Sequence, residues 1–111
     1  VASSTNTQTV KSHMERAGFL SYFQEIIGGD MVEHSKPRPD IYLMACSRLG
    51  VEPEMAAAIE DSPNGIKSAH AAGMLPIMVP DMVEPTAEIE ALLYRNCRDL
   101  FEVKDLLEKE F

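Results

Sequence analysis

Several features that identify common classes of protein are missing from this sequence of 111 residues. It has no tryptophan, only two cysteines, and no stretch of about 18 apolar residues of the kind that crosses a membrane. No two Lys or Arg residues are adjacent, and ten basic against eighteen acidic side chains leave a net charge of −8. Because nucleic acids and anionic membranes attract basic surfaces, we expect neither as a partner.

The spacing of the cysteines and of the glycines also disfavours metal, redox and nucleotide-binding sites of the common kinds. Cys46 and Cys97 lie in apolar surroundings and form no CxxC or Cys/His metal spacing, so we expect two buried free thiols. The sequence has no GxGxxG or P-loop motif, which disfavours a nucleotide-binding Rossmann domain. It also has no signal peptide, and we expect a soluble protein of the reducing cytoplasm.

The residues that are present predict a single α/β domain with a parallel sheet. A hydrophobic content of 45% is enough for a core, and short apolar runs alternate with helical patterns. The predicted strands are residues 1–3, 25–27, 56–59, 75–79 and, weakly, 93–97. The predicted helices are a three-turn helix that ends at Gly18, and residues 40–49, 65–72, 86–92 and 99–111.

The stretch from Ile59 to Gly65 is the most informative part of the chain. Glu60 and Asp61 directly follow the apolar run 56–59, and a Ser-Pro-Asn-Gly turn then leads into a helix. Carboxylates at the carboxyl end of a parallel strand face the ligand-binding edge of the sheet, and Mg²⁺ prefers such oxygen ligands. The alternative is a helix N-cap formed by Asp61 or Ser62, and both interpretations can hold together.

Two further polar residues are expected at the same edge. Ser3 follows the first predicted strand, and Lys36 lies in a loop that two prolines stiffen just before a helix. Right-handed crossovers bring the carboxyl ends of parallel strands together. A hydroxyl, an ammonium group and two carboxylates would then form a site for phosphate and Mg²⁺. The alternative for each residue considered alone is that Lys36 is an ordinary surface lysine and that Ser3 is part of a helix-capping region.

These segments together resemble the motifs of the haloacid dehalogenase-like hydrolases, and more narrowly the β-phosphoglucomutase-like phosphatase group. Residues 1–5 are similar to the second motif of that family, residues 35–42 to the third and residues 59–66 to the fourth. The resemblance implies a Rossmann-like three-layer core with a parallel sheet. It implies phosphate contacts from Ser3, Ser4, Asn6 and Lys36, catalytic roles for Ser3 and Lys36, Mg²⁺ at Glu60 and Asp61, and support from Ser62.

The sequence departs from the family pattern in one respect. It contains no Asp-x-Asp motif, which supplies the nucleophile and the general acid/base of the family, and no helical cap. We therefore expect residues 1–111 to be the carboxyl-terminal part of such a core. The missing strand would lie between residues 1–3 and 56–59. A separate amino-terminal piece, a segment of a neighbouring copy, or collapse of residues 1–3 against 56–59 would fill this gap, and the isolated chain should be poorly stable or associate.

The resemblance implies Mg²⁺-dependent phosphoryl transfer from a small sugar phosphate through an aspartyl-phosphate. Hydrolysis is favoured over mutase chemistry, and the nucleophile comes from outside this chain, so the chain alone should show no turnover. A non-catalytic phosphate- or metal-binding α/β module is the alternative that the missing nucleophile favours.

Overall fold

The computed structural model describes all 111 residues. Helices alternate with short strands along the chain. The elements are α1 (Thr7–Ala17), α2 (Asp40–Leu49), β1 (Ala57–Glu60), α3 (Pro63–Ala71), β2 (Leu75–Met78), α4 (Ala87–Glu90), β3 (Arg95–Asn96) and α5 (Leu100–Glu110). Short 3₁₀ turns cover Leu20–Tyr22, Gly29–Met31 and Pro53–Met55. The alternation of strands and helices that the sequence predicts is therefore confirmed.

The sheet has three parallel strands in the order β1, β2, β3, so that β2 is central. In the β1–β2 register Ile59 is opposite Ile77, and Glu60 is opposite Met78. Successive helices connect these parallel strands, which is the βαβ arrangement of an α/β fold. The carboxyl ends of the three strands consequently lie at the same edge of the sheet.

The first two predicted strands are reduced to one isolated parallel bridge between Ala2 and Ile27. The Ile27 N–H donates to the Val1 carbonyl at 2.8 Å, and the Ser3 N–H donates to the Ile27 carbonyl at 3.0 Å. Residues 1–3 pair with Ile27 and not with β1, so collapse against residues 56–59, one of the three alternatives for filling the gap, is not observed. On one side, residues 1–3 form backbone hydrogen bonds with Ile27. On the other side, the Lys36 side chain donates a hydrogen bond to the Ala2 carbonyl.

The helices lie where the sequence predicts them, with ends that differ by up to two residues. The Asn6 carboxamide oxygen caps α1 by accepting from the Gln8 N–H at 3.0 Å, and α1 ends at Gly18 with φ of 77°. That positive φ favours glycine. Helix α3 begins two residues earlier than predicted, because the Ser62 hydroxyl oxygen accepts from the Gly65 N–H at 3.1 Å and caps it.

The core lies on both faces of the sheet. Ala58 packs with α2 and α3 on one face, whereas Ile77 packs with Cys97 and Val103 of α5 on the other. Both cysteines are buried and free, as expected. None of the helices combines the length and the apolar composition that a membrane-spanning segment requires. The result is a three-layer arrangement, helix against sheet against helix, with β1 at one edge of the sheet.

Candidate active site

A groove of about 1210 Å³ lies where the strands end. The segments that line it are residues 2–5, Lys36, residues 59–64, residues 79–81 and residues 98–101. Each strand contributes through the loop that follows it, as expected for the carboxyl edge of a parallel sheet. The predicted site residues Ser3, Ser4, Lys36, Glu60, Asp61 and Ser62 all line this groove.

Two strand edges with unpaired backbone groups flank the groove. Residues of a parallel strand alternate in the neighbour to which they hydrogen-bond. Ala56 and Glu60 bond to the β2 side, through the Leu75 and Val79 N–H groups, so the backbone groups of Ile59 face away from β2. By the same alternation Ala2 faces away from Ile27. The space between residues 1–3 and β1 is therefore bordered on both sides by backbone groups that pair with no neighbouring strand, although the Ala2 carbonyl accepts a hydrogen bond from the Lys36 side chain.

Lys36 connects the two sides of this space. Its ammonium group donates to the Ala2 carbonyl at 3.1 Å and to Glu60 Oε1 at 2.5 Å. The Lys36 side chain is only 10% exposed, and its Nζ lies 5.2 Å from the centre of the Tyr42 ring. The prediction that Lys36 is held in place near a helix start is confirmed by these contacts.

Glu60 is turned inward. Its Oε1 accepts from both Lys36 and the Tyr42 hydroxyl, and its side chain is 9% exposed. Burial, and next the negative charge of Glu60, raise the pKa of Tyr42 well above its ordinary value. The phenol is therefore protonated at neutral pH and acts as a hydrogen-bond donor to the carboxylate.

Asp61 is turned outward. It is exposed and lines the groove, while Ser62 takes the role of N-cap of α3. The two interpretations of this stretch thus hold together, with the cap provided by Ser62. Mg²⁺ takes one or two carboxylates and completes its shell with water and phosphate oxygens. The exposed Asp61 carboxylate fits that donor set, whereas Glu60 Oε1 is already engaged by Lys36 and Tyr42. The structure contains no cluster of three or more His, Cys, Asp or Glu side chains that could hold a metal ion.

The amino-terminal residues divide into two groups. Ser3 and Ser4 line the groove, and the Ser3 hydroxyl oxygen accepts from the Thr5 N–H at 3.1 Å. Asn6 does not line it, because its side chain is engaged in capping α1. Of the predicted phosphate contacts, the structure brings together Ser3, Ser4 and Lys36 and leaves Asn6 outside.

Three residues at or behind the groove were not singled out from the sequence. Asp81 and Arg98 line the groove after β2 and β3, where the rule used for Glu60 and Asp61 would have found them. The Arg98 guanidinium pairs with Glu102 at 2.9 Å and is almost fully exposed. Tyr42 contacts Glu60 from behind, and no spacing in the sequence indicates that contact.

Comparisons with known proteins show which family this chain is similar to. The model of the family described as haloacid dehalogenase-like hydrolase matches residues 1–79. YhcW of Bacillus subtilis is 40% identical over 90 residues, and the fructose-1-phosphate phosphatase YqaB of Escherichia coli is 34% identical over 74 residues. The crystal structure of CbbY from Rhodobacter sphaeroides in complex with phosphate superposes with a TM-score of 0.81 at 35% identity.

The matches cover most of this chain but less than half of each relative. The YhcW match spans 81% of the chain and 41% of YhcW, and the YqaB match spans 67% and 39%. The CbbY structure is matched over 93% of the chain and 47% of CbbY. The residues that correspond to this chain therefore form only one part of those proteins.

Proposed function

The chain belongs to the haloacid dehalogenase-like hydrolases, and on that premise we propose that the full-length protein is a phosphatase that hydrolyses a small sugar phosphate. Family relatives that include YqaB act on phosphorylated sugars. The observation that carries the proposal is the convergence of Ser3, Lys36 and Asp61 on one groove, although they are far apart in the sequence. A hydroxyl, a cation and a carboxylate around one space are suited to holding a phosphoryl group.

Each of these side chains has a distinct role in the proposal. The Ser3 hydroxyl donates to a phosphoryl oxygen, which it can do while its oxygen accepts from Thr5. The Lys36 ammonium lies at the groove wall and offsets the negative charge of the phosphoryl group. Because this charge lies in a groove and not in bulk water, its interaction with the ammonium group is strengthened.

Glu60 and Asp61 would hold Mg²⁺, with Asp61 the more accessible of the two. Glu60 has only Oε2 left for this role, because its Oε1 is engaged by Lys36 and Tyr42. Bound there, Mg²⁺ would supply electrostatic neutralisation of the phosphoryl oxygens. Ser62 supports the pair by fixing the start of α3 immediately after them.

The nucleophile in this proposal is an aspartate outside residues 1–111. Its carboxylate attacks phosphorus, the bond from phosphorus to the sugar oxygen breaks, and the released oxygen takes up a proton. Water then attacks the phosphorus of the aspartyl-phosphate, which releases inorganic phosphate and regenerates the carboxylate. The residues of this chain bind and orient the phosphoryl group in both steps.

The space between Ala2 and β1 is the place that we propose for the segment with that aspartate. Backbone groups that pair with no strand border it on both sides, at Ala2 and at Ile59, and at Ala2 the carbonyl is held by the Lys36 side chain alone. The relatives contain more than twice the matched length, which is enough for such a segment. The 111-residue chain alone is accordingly expected to show no turnover.

The test is a phosphatase assay on the full-length protein with a panel of sugar phosphates, with Mg²⁺ and after its removal by a chelator. We expect phosphate release that depends on Mg²⁺. Lys36→Ala and Asp61→Asn should each lower kcat by about 10²–10³-fold. Lys67→Ala, which removes a half-exposed lysine of α3 outside the groove, is the matched control and should retain activity.

Three results would contradict the proposal. Wild-type rates in Lys36→Ala and Asp61→Asn would remove the assigned roles. An isomerised sugar phosphate without free phosphate would indicate a mutase. Phosphate or Mg²⁺ binding without turnover in the full-length protein would indicate a non-catalytic module.

A further inference from the structure

The carboxylate of Glu60 is enclosed on three sides. Lys36 Nζ lies 2.5 Å from Oε1, and the Tyr42 hydroxyl donates to the same oxygen. On the third side is Gly65, where a Cβ atom would collide with the carboxylate, chiefly with Oε2. We call this enclosure, formed by Lys36, Tyr42 and Gly65, the Glu60 socket.

Tyr42 is the residue that joins the parts of the socket. It lies near the start of α2, is only 6% exposed, and reaches Glu60 at the end of β1. Its ring also lies beneath the Lys36 ammonium, with 5.2 Å from Nζ to the ring centre. One side chain therefore contacts both members of the Lys36–Glu60 ion pair.

The absence of a side chain at Gly65 is a matter of space and not of backbone conformation. Its φ is not among the positive values, which belong to Gly18, Gly50 and Gly73. An alanine can therefore adopt the backbone of Gly65, and its methyl group would displace the flexible end of Glu60.

We propose that Tyr42 is a positioning residue, and that with Gly65 it holds Glu60 so that the Lys36 ammonium stays fixed between the two sheet edges. A lysine side chain has many rotamers and loses that freedom when it is held in one place. The socket restricts that freedom and keeps Lys36 away from Asp61, which leaves the Asp61 carboxylate facing the groove. The catalytic consequence rests on the function proposed above, whereas the positioning itself does not.

The first test compares Tyr42→Phe, Gly65→Ala and Tyr94→Phe in the full-length protein. Tyr94→Phe is the matched control, because the Tyr94 hydroxyl also donates to a glutamate, Glu110, at 2.7 Å but away from the groove. Loss of one hydrogen bond to a carboxylate should lower kcat of Tyr42→Phe about tenfold, with KM little changed. Gly65→Ala should lower kcat similarly, and Tyr94→Phe should leave it unchanged.

The second test measures the position of Lys36 without any need for activity. Each protein is labelled briefly with an amine-reactive reagent, and the rates at Lys36 and Lys67 are measured by mass spectrometry. Lys36, which is 10% exposed, should react more slowly than Lys67, which is 42% exposed. In Tyr42→Phe and Gly65→Ala the Lys36 rate should rise several-fold, about as much as one lost hydrogen bond allows, whereas the Lys67 rate stays constant.

The outcomes separate the two proposals. If Lys36 labelling rises in both socket variants but the wild type releases no phosphate, the proposed function fails and the socket stands. Equal Lys36 labelling in the wild type and the three variants overturns the positioning of Lys36 by the socket. An unchanged kcat of Tyr42→Phe in an active protein overturns its catalytic consequence. Should Tyr42→Phe not fold, Gly65→Ala still decides, because alanine is favoured over glycine in a helix.

Discussion

Asp30 and Thr7 are 23 residues apart in the sequence, and the Asp30 carboxylate accepts hydrogen bonds from the Thr7 N–H at 2.6 Å and from its hydroxyl at 2.7 Å. The bonds join the first turn of α1 to the turn that follows the Ala2–Ile27 bridge. They thereby hold residues 3–5 at the groove wall, because these residues lie between the bridge and α1.

Replacing Asp30 by Asn should lower the melting temperature of the full-length protein at pH 7. The hydrogen bonds from the Thr7 hydroxyl and then from the Thr7 N–H lower the pKa of Asp30. A lowered folded-state pKa gives stability that is present above the unfolded-state pKa of about 4 and is lost as the pH falls through the folded-state pKa. The difference in melting temperature between the two proteins should therefore shrink below about pH 4.

The control for that experiment is Asp105→Asn, at an exposed position of α5. It should leave the melting temperature unchanged at both pH values. A difference between wild type and Asp30→Asn that grows on acidification would contradict the assignment of the effect to the Asp30 charge.

Ser62→Ala should lower the free energy of unfolding by about 1 kcal/mol, because it removes the hydroxyl that caps α3 at the Gly65 N–H. Ser62→Asn supplies another capping oxygen and should recover most of that loss. Urea denaturation followed by circular dichroism measures both. If the two variants were equally unstable, Ser62 would stabilise the fold through some contact other than the cap.

Ile59 and Ile77 form a matched pair for testing whether the groove is filled. They are opposite each other in the β1–β2 register, yet Ile77 is fully buried and Ile59 is 44% exposed. Ile77→Ala should cost about 2–5 kcal/mol of unfolding free energy in any form of the protein. Ile59→Ala should cost much less in the 111-residue chain, and more in the full-length protein if a segment covers it. An equal, small cost in both forms would argue against a covering segment.

Hydrogen exchange at neighbouring amides tests the same segment at the backbone. The Ile59 N–H faces the groove, whereas the Ala58 N–H faces β2 by the alternation of the ladder. In the 111-residue chain the Ile59 amide should exchange rapidly and the Ala58 amide slowly. In the full-length protein both should be protected, and rapid exchange of Ile59 there would show that no strand pairs with this edge.

The sequence predicted the fold well where local chemistry decides the structure. Helix α2 begins and ends at the predicted residues because Pro39 and Gly50 bound it, and α1 ends at Gly18 for the same reason. The strand at residues 1–3 was predicted less well. Strand formation depends on partners that are distant in the sequence, and here Ile27 supplies a partner on one side only.

The candidate site was predictable where the strand ends determine it, and not where side chains meet across the core. Lys36, Glu60 and Asp61 share an edge because parallel strands end together. The inward turn of Glu60 depends on the Tyr42 hydroxyl and on the space at Gly65. Neither contact follows from spacing along the chain, so the different orientations of the two neighbouring acids appear only in three dimensions.

The two open edges at Ala2 and Ile59 give the protein a natural point of division. A covalently attached strand experiences an effective concentration of the order of millimolar, so it occupies its place whatever the dilution. The same strand supplied as a synthetic peptide would occupy it only in proportion to the amount added. If the proposed segment is part of the full-length protein, separating it from residues 1–111 would convert a step of folding into a titratable association, and the proposed activity would rise with the amount of segment added.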